Sequence, residues 1–223
     1  MNQAAGFFLL PILLAAADEL PDFTKVDPAT IHVKPVPVQK DPKTGFIVGG
    51  ENATLVIEKL TEINGRTIAE LEKDMRPGAL SRGGFIGKDE KLLAVLVMDN
   101  RYVIEERKLT HQELARHLRV LGGIGLKLKA IAKKSEPFVY HGRRFQISMM
   151  LSRGLQPSPF DDGTKSGTNA TLFNLDNRKS LQYALLVPEM IARYGFYEGK
   201  GTPYRVDPRK VLEVLDFLPL TKK

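Results

Sequence analysis

Two rhythms of hydrophobic and polar positions run through this chain. Near the C-terminus, Leu185-Leu186-Val187 leads into Pro188, Met190, Ile191 and Tyr194, a spacing that predicts a helix. Proline suits a first helical turn, and Gly195 stands where a left-handed residue ends a helix. Asp207-Pro208 predicts a second helix start, with an acceptor at the N-cap and proline next. Val211, Leu212, Val214, Leu215 and Leu218 then form a wide apolar stripe.

Upstream, Thr67-Ile-Ala-Glu70 reads as a capping box, predicting a short helix to about Met75 that Arg76-Pro77-Gly78 stops. Thr110-His-Gln-Glu113 reads as a second box, with a helix to about Leu121 and a stop at Gly122-Gly123. Between them, Leu92, Leu93, Leu96 and Val103 favour a helix over a hairpin turning at Asp99-Asn100. Residues 67–121 are therefore expected to form a small helical sub-lobe.

The strand rhythm occurs elsewhere. Thr54 to Leu60 is rich in branched residues and predicts a strand. Phe138-Val-Tyr140 and Arg144 to Met150 flank His141-Gly142 as a hairpin. Thr171 to Asn174 and Ser180 to Tyr183 flank Asp176-Asn177 as another. Ile124 to Ala132 fits a strand or a basic amphipathic helix, and 154–168 reads as a polar loop. The expected fold class is α+β: an antiparallel sheet of several hairpins with helices on one face. Residues 51–223 are expected to be a single domain.

The N-terminal part differs in composition. The apolar run Ala4 to Ala17, ending in Ala15-Ala16-Ala17, reads as a signal segment over 1–17. Residues 18–50 form a proline-rich arm. In it, Ile31 to Val38 suits an edge strand or polyproline stretch, and 46–49 a short strand. The expected location is exported: periplasmic, cell envelope or extracellular. No later run is long enough to span a membrane, so no integral membrane domain is expected after the signal segment.

Composition adds exclusions. With no cysteine among 223 residues, the chain has no disulfide, no thiol nucleophile and no cysteine-type zinc site. The net charge is +7, and residues 101–153 concentrate it, with 12 basic against 4 acidic side chains. Such a segment suits an anionic polymer, a glycan or an acidic protein surface. An exported protein would not meet intracellular nucleic acid.

The richest chemistry lies in Arg193 to Pro208, which holds three tyrosines, three glycines and two arginines. There, Arg193 and Arg205 offer planar forks for an anion. Tyr197 and Tyr204 offer stacking or hydrogen bonding, and Gly199 and Gly201 allow close backbone approach. Glu198 sits among these groups, which would tune its acidity. Packing alone is the alternative use of the aromatic rings.

The leading expectation is an exported binding protein for an anionic ligand. A hydrolase using Glu198 or Asp161-Asp162 as acid and base, and a purely structural envelope protein, are the alternatives. No enzyme motif argues for catalysis. Gly163-Thr-Lys-Ser166 resembles a P-loop end only superficially, and glycine-rich 77–88 reads as a connecting loop. His111 and His117 lie six apart and do not share a helix face, and His32 and His141 lie elsewhere. No metal or cofactor is expected, and His111 is expected to be exposed in a first turn.

Overall fold

The computed structural model describes residues 19–27 and 53–219. The signal segment 1–17, the strands expected at 31–38 and 46–49, and His32 lie outside them.

Local capping signals become helices at four places. Helix α2, Ile68–Met75, starts at a complete capping box. The Thr67 hydroxyl accepts from the Glu70 amide, and the Glu70 carboxylate accepts from the Thr67 amide at 2.9 Å. Helix α4, His111–Lys127, starts where the Thr110 hydroxyl accepts from the Glu113 amide at 3.1 Å. Helix α5, Val187–Tyr194, has Pro188 in its first turn and ends at Gly195 with φ +64°. Helix α6, Pro208–Val214, is capped by the Asp207 carboxylate accepting from the Arg209 amide.

Helix α3, Leu92–Asn100, continues as a π-helical stretch, Arg101–Glu106, so the helical reading of this region holds. Two expectations are corrected. The run beginning at Thr54 is not a strand but a short helix, α1, Ala53–Glu58. Its branched residues match a pleated surface, yet Ile57 is buried among helices, where α1 packs on α3. Tertiary packing overrides a weak local preference here. The second correction concerns Gly122-Gly123, which do not stop α4. A Cβ on Gly122 would meet Leu185 Cδ2 at 2.7 Å, and one on Gly125 would meet Ile147 Cδ1 and Met149 Sδ at 3.0 Å. These glycines let α4 lie close to the sheet and to the residues leading into α5. That contact offsets their helix cost of about 1 kcal/mol each.

The fold is α+β. Strands β1 (Glu62–Ile63) and β2 (Arg66–Thr67) form a minimal ribbon. Strands β3 (Phe138–Tyr140), β4 (Arg143–Pro157), β5 (Lys165–Asn174) and β6 (Lys179–Ala184) form a four-stranded antiparallel sheet in sequence order. Both expected hairpins are present, with Phe138 opposite Phe145 and Leu172 opposite Leu181. The expected polar loop 154–168 is a loop only over 158–164: β4 runs to Pro157, β5 begins at Lys165, and the register shifts between Leu151 and Gln156. Backbone hydrogen bonding sets the residues on either side in strands although their side chains carry no apolar alternation.

The core lies between α4, α5 and the sheet. Leu118, Leu121, Ile124, Ile147, Leu172, Val187 and Ile191 are all buried there, and α6 packs on β6. At one end of this core, the long β4–β5 hairpin stands opposite the loop between α5 and α6. Among the described residues, no helix is long and apolar enough to cross a membrane.

Candidate functional site

Two glycine-rich segments, distant in sequence, dock on each other. A Cβ on Gly201 would come within 2.7 Å of the Gly87 Cα, and one on Gly83 within 3.0 Å of Pro203 Cγ. The Gly199 amide donates to the Phe85 carbonyl at 2.8 Å. Glu90 completes the junction. Its carboxylate accepts from the amides of Gly87 (2.6 Å), Lys200 (2.8 Å) and Gly201 (3.1 Å). Burial raises the Glu90 pKa, but these three hydrogen bonds outweigh burial and hold it below the usual carboxylate value. The amides around Gly199 and Gly201 thus bind a carboxylate from the chain itself.

The docked segments wall a cleft of about 370 Å³. Ser81–Phe85 form one side. The opposite side is the irregular part of the β4–β5 hairpin, including Ser152, Gln156, Thr168 and Asn169. Glu198 and Tyr204 come from the α5–α6 loop. Hydroxyls, amides and glycines dominate this lining. Arg82 is exposed, and its side chain has no ion pair or hydrogen bond among the described residues.

Glu198 is the cleft's carboxyl group and is 3% exposed. Burial pushes its pKa up to about 8, against the Thr202 hydroxyl donating to it at 3.1 Å and the nearby charge of Arg205. At neutral pH it is mostly a carboxylic acid, able to donate as well as accept a hydrogen bond. Its backbone is left-handed, φ +66°, which is uncommon for a residue with a side chain. Arg205 donates to the Glu198 carbonyl, and the Glu90 junction follows immediately, so this conformation is held from both sides.

Beneath the loop lies a buried polar layer. Arg205 grips Asp99 through Nη2 at 2.6 Å and Nη1 at 3.0 Å, with both side chains under 10% exposed. Burial pushes Asp99 up to about 6 against those two hydrogen bonds. Alongside, the Tyr197 hydroxyl meets His111 Nδ1 at 2.9 Å, and His111 Nε2 meets Asn100 Oδ1 at 3.1 Å. The Asn100 amide donates to Thr54, whose hydroxyl donates to Glu105. Every group is satisfied when His111 is neutral and carries its proton on Nε2. Burial favours that state, lowering its pKa to about 3. His111 is therefore a core residue, 1% exposed, and not the exposed first-turn side chain expected.

The residues singled out in the sequence thus separate. Glu198 and Tyr204, the latter 47% exposed, line the cleft, whereas Tyr197 is fully buried. Gly199 and Gly201 form the junction, and Arg205 is committed to Asp99. Arg193 lies 3.5 Å from Asp162, a carboxylate also held by the Thr164 and Tyr194 hydroxyls at 2.5 and 2.9 Å. Burial raises the Asp162 pKa, yet these partners bring it below its usual value. Asp161 is exposed at φ +54°. Neither aspartate lines the cleft.

His117 meets the Tyr140 hydroxyl at 2.8 Å and shares no hydrogen-bond partner with His111, and no metal-ligand cluster occurs among the described residues. Within the basic segment, Arg101, Arg119, Arg143 and Arg144 are paired to Glu58, Glu189, Asp216 and Asp176.

Sequence reasoning missed Arg82, Glu90 and the hairpin wall. The glycines at 83, 84 and 87 were the available signal, since close approach to another backbone is one reason for such a cluster. Comparison with family models, with curated proteins and with solved structures finds no match to this chain.

Proposed function

We propose that the chain is a binding protein for a small anionic group, seated in the cleft between Ser81–Phe85, the β4–β5 hairpin and the α5–α6 loop. One observation carries this reading: unpaired Arg82 and buried Glu198 share a cleft that holds no other carboxyl group among the described residues. With Glu198 protonated, the cleft presents one positive charge, one acidic O–H donor and several hydroxyls and amides. That set suits a carboxylate, sulfate or phosphate. The sequence likewise led to an anionic ligand, there a polymer, glycan or acidic protein surface held by Arg193 and Arg205; here the cation is Arg82. The apolar run 4–17 supports an exported setting, which N-terminal sequencing of the protein from its host tests.

Hydrolysis by a carboxyl pair is less well supported, because Asp161 and Asp162 do not line the cleft. The test is titration of isotope-labelled protein with acetate, sulfate and phosphate, following amide shifts. Expected are saturable shifts at Gly83, Gly84, Thr168 and Asn169, weakened at least about tenfold by Arg82→Ala, the loss of one charge-assisted contact. Shifts elsewhere, or an unaltered affinity in Arg82→Ala, overturn the reading.

A further inference from the structure

Tyr204 is the cleft's distinctive surface. Its ring rests on a residue with no side chain: a Cβ on Gly83 would meet Tyr204 Cε2 at 3.2 Å, with Pro203 alongside. The ring is thereby braced, yet Tyr204 remains 47% exposed beside the cleft. A braced, half-exposed aromatic ring with a polar tip offers an apolar platform at low entropic cost. The β4–β5 side of the cleft sets exposed Leu155 among polar groups. Ser152, Gln156, Ser166, Thr168 and Asn169 give it hydroxyls and carboxamides, arranged along the irregular register of β4 and β5. Several of these groups bond only weakly or locally: Asn169 Nδ2 reaches Ser152 Oγ at 3.4 Å, and Ser166 Oγ accepts only from the Thr168 amide at 3.2 Å.

A flat C–H-bearing ring that also carries many hydroxyls matches both surfaces at once. Sugars have this character: axial C–H groups face an aromatic ring while equatorial hydroxyls exchange hydrogen bonds with amides and hydroxyls. Arg82 and protonated Glu198 add the requirement for an anionic substituent.

We infer that the ligand is an acidic sugar unit, a hexuronate or its equivalent in a glycan, stacked on Tyr204 with its carboxylate toward Arg82. This rests on the anion reading of the cleft and narrows it. Stacking supplies orientation, and Glu198 donates to the sugar or its carboxylate.

The test compares D-glucuronate, D-glucose and acetate on full-length protein near pH 6 by the same amide titration. Glucuronate is expected to bind at least about tenfold more tightly than either acetate or glucose, since it alone engages both the ring and the cation. Tyr204→Ala is expected to remove that advantage and leave acetate unchanged. Tyr204→Phe, which keeps the ring, is expected to stay within about threefold of the parent, so a folding defect in the alanine variant does not decide the matter. Equal affinities for glucuronate and acetate, equal affinities for glucuronate and glucose, or a Tyr204→Ala variant that binds glucuronate normally overturns the sugar assignment. Acetate, sulfate or phosphate binding that still depends on Arg82 leaves the anion reading standing in those cases. If none of the anions shifts a cleft resonance, the anion reading falls and the sugar assignment with it.

Discussion

Replacing Glu198 with glutamine tests the feature on which the cleft depends. Glutamine keeps the shape of the side chain and an acceptor for the Thr202 hydroxyl, but it cannot ionise. In the parent, burial raises the carboxyl from 4.5 to about 8. The folded protein therefore keeps a proton that the unfolded chain has released, and stability falls as pH rises across that window. At about 1.4 kcal/mol per pKa unit, the full displacement corresponds to about 5 kcal/mol. Glu198→Gln should match the parent near pH 4.5. It should exceed it by about 3 kcal/mol at pH 7 and by about 5 kcal/mol above pH 8.

Other groups titrate in both proteins and cancel in the difference. His111 and His117, lowered to about 3 by burial, add stability as pH rises toward 6.5. Asp99, raised to about 6, works in the opposite sense. Urea unfolding at several pH values between 5 and 9, with equal slopes in the two proteins, gives the difference directly. A difference that does not change with pH shows that Glu198 is ionised in the folded protein, and the neutral-acid account of the cleft is then wrong.

Three further outcomes follow from the geometry. Glu90→Ala strips three backbone amides of a charged acceptor and should cost about 3 kcal/mol or more, read from thermal melts. A loss below about 1 kcal/mol would mean the junction does not hold the loop. Arg205→Met leaves Asp99 buried without its partner and should cost about 3–5 kcal/mol, more than Arg193→Met, because Asp162 keeps Thr164 and Tyr194. Similar losses in denaturant for the two arginine variants would contradict this. Gly122→Ala, which would gain about 1 kcal/mol in an isolated helix, should lose that gain here, because the Leu185 methyl that it would meet at 2.7 Å must shift. Combining it with Leu185→Ala should relieve part of that loss, and strict additivity would refute the steric explanation.

Helix starts and stops were legible because their causes are local. Thr67 with Glu70, Asp207 with Pro208, and Gly195 act within one turn, so a few residues carry the whole signal. The two hairpins were legible for the same reason: alternation and turn residues lie within a short span. The α+β class followed from these elements.

Where partners are far apart in sequence, the residues alone were silent. Glu90 meets Lys200 across 110 positions and Arg205 meets Asp99 across 106. Arg205 looked free for a ligand because its counter-charge is set by packing. Gly122 resembled a helix stop because Leu185, which occupies the space a side chain would fill, lies on another element. His111 was read as exposed because burial depends on α5 and the loop after it closing over α4. Glu198 and Tyr204 could be named from their neighbours, but their cleft is made by three segments that only folding brings together. Local chemistry is written in the order of residues. Burial, counter-charge and enclosure arise from long-range contact, and those three quantities set the acidity of Glu198 and the shape of the site.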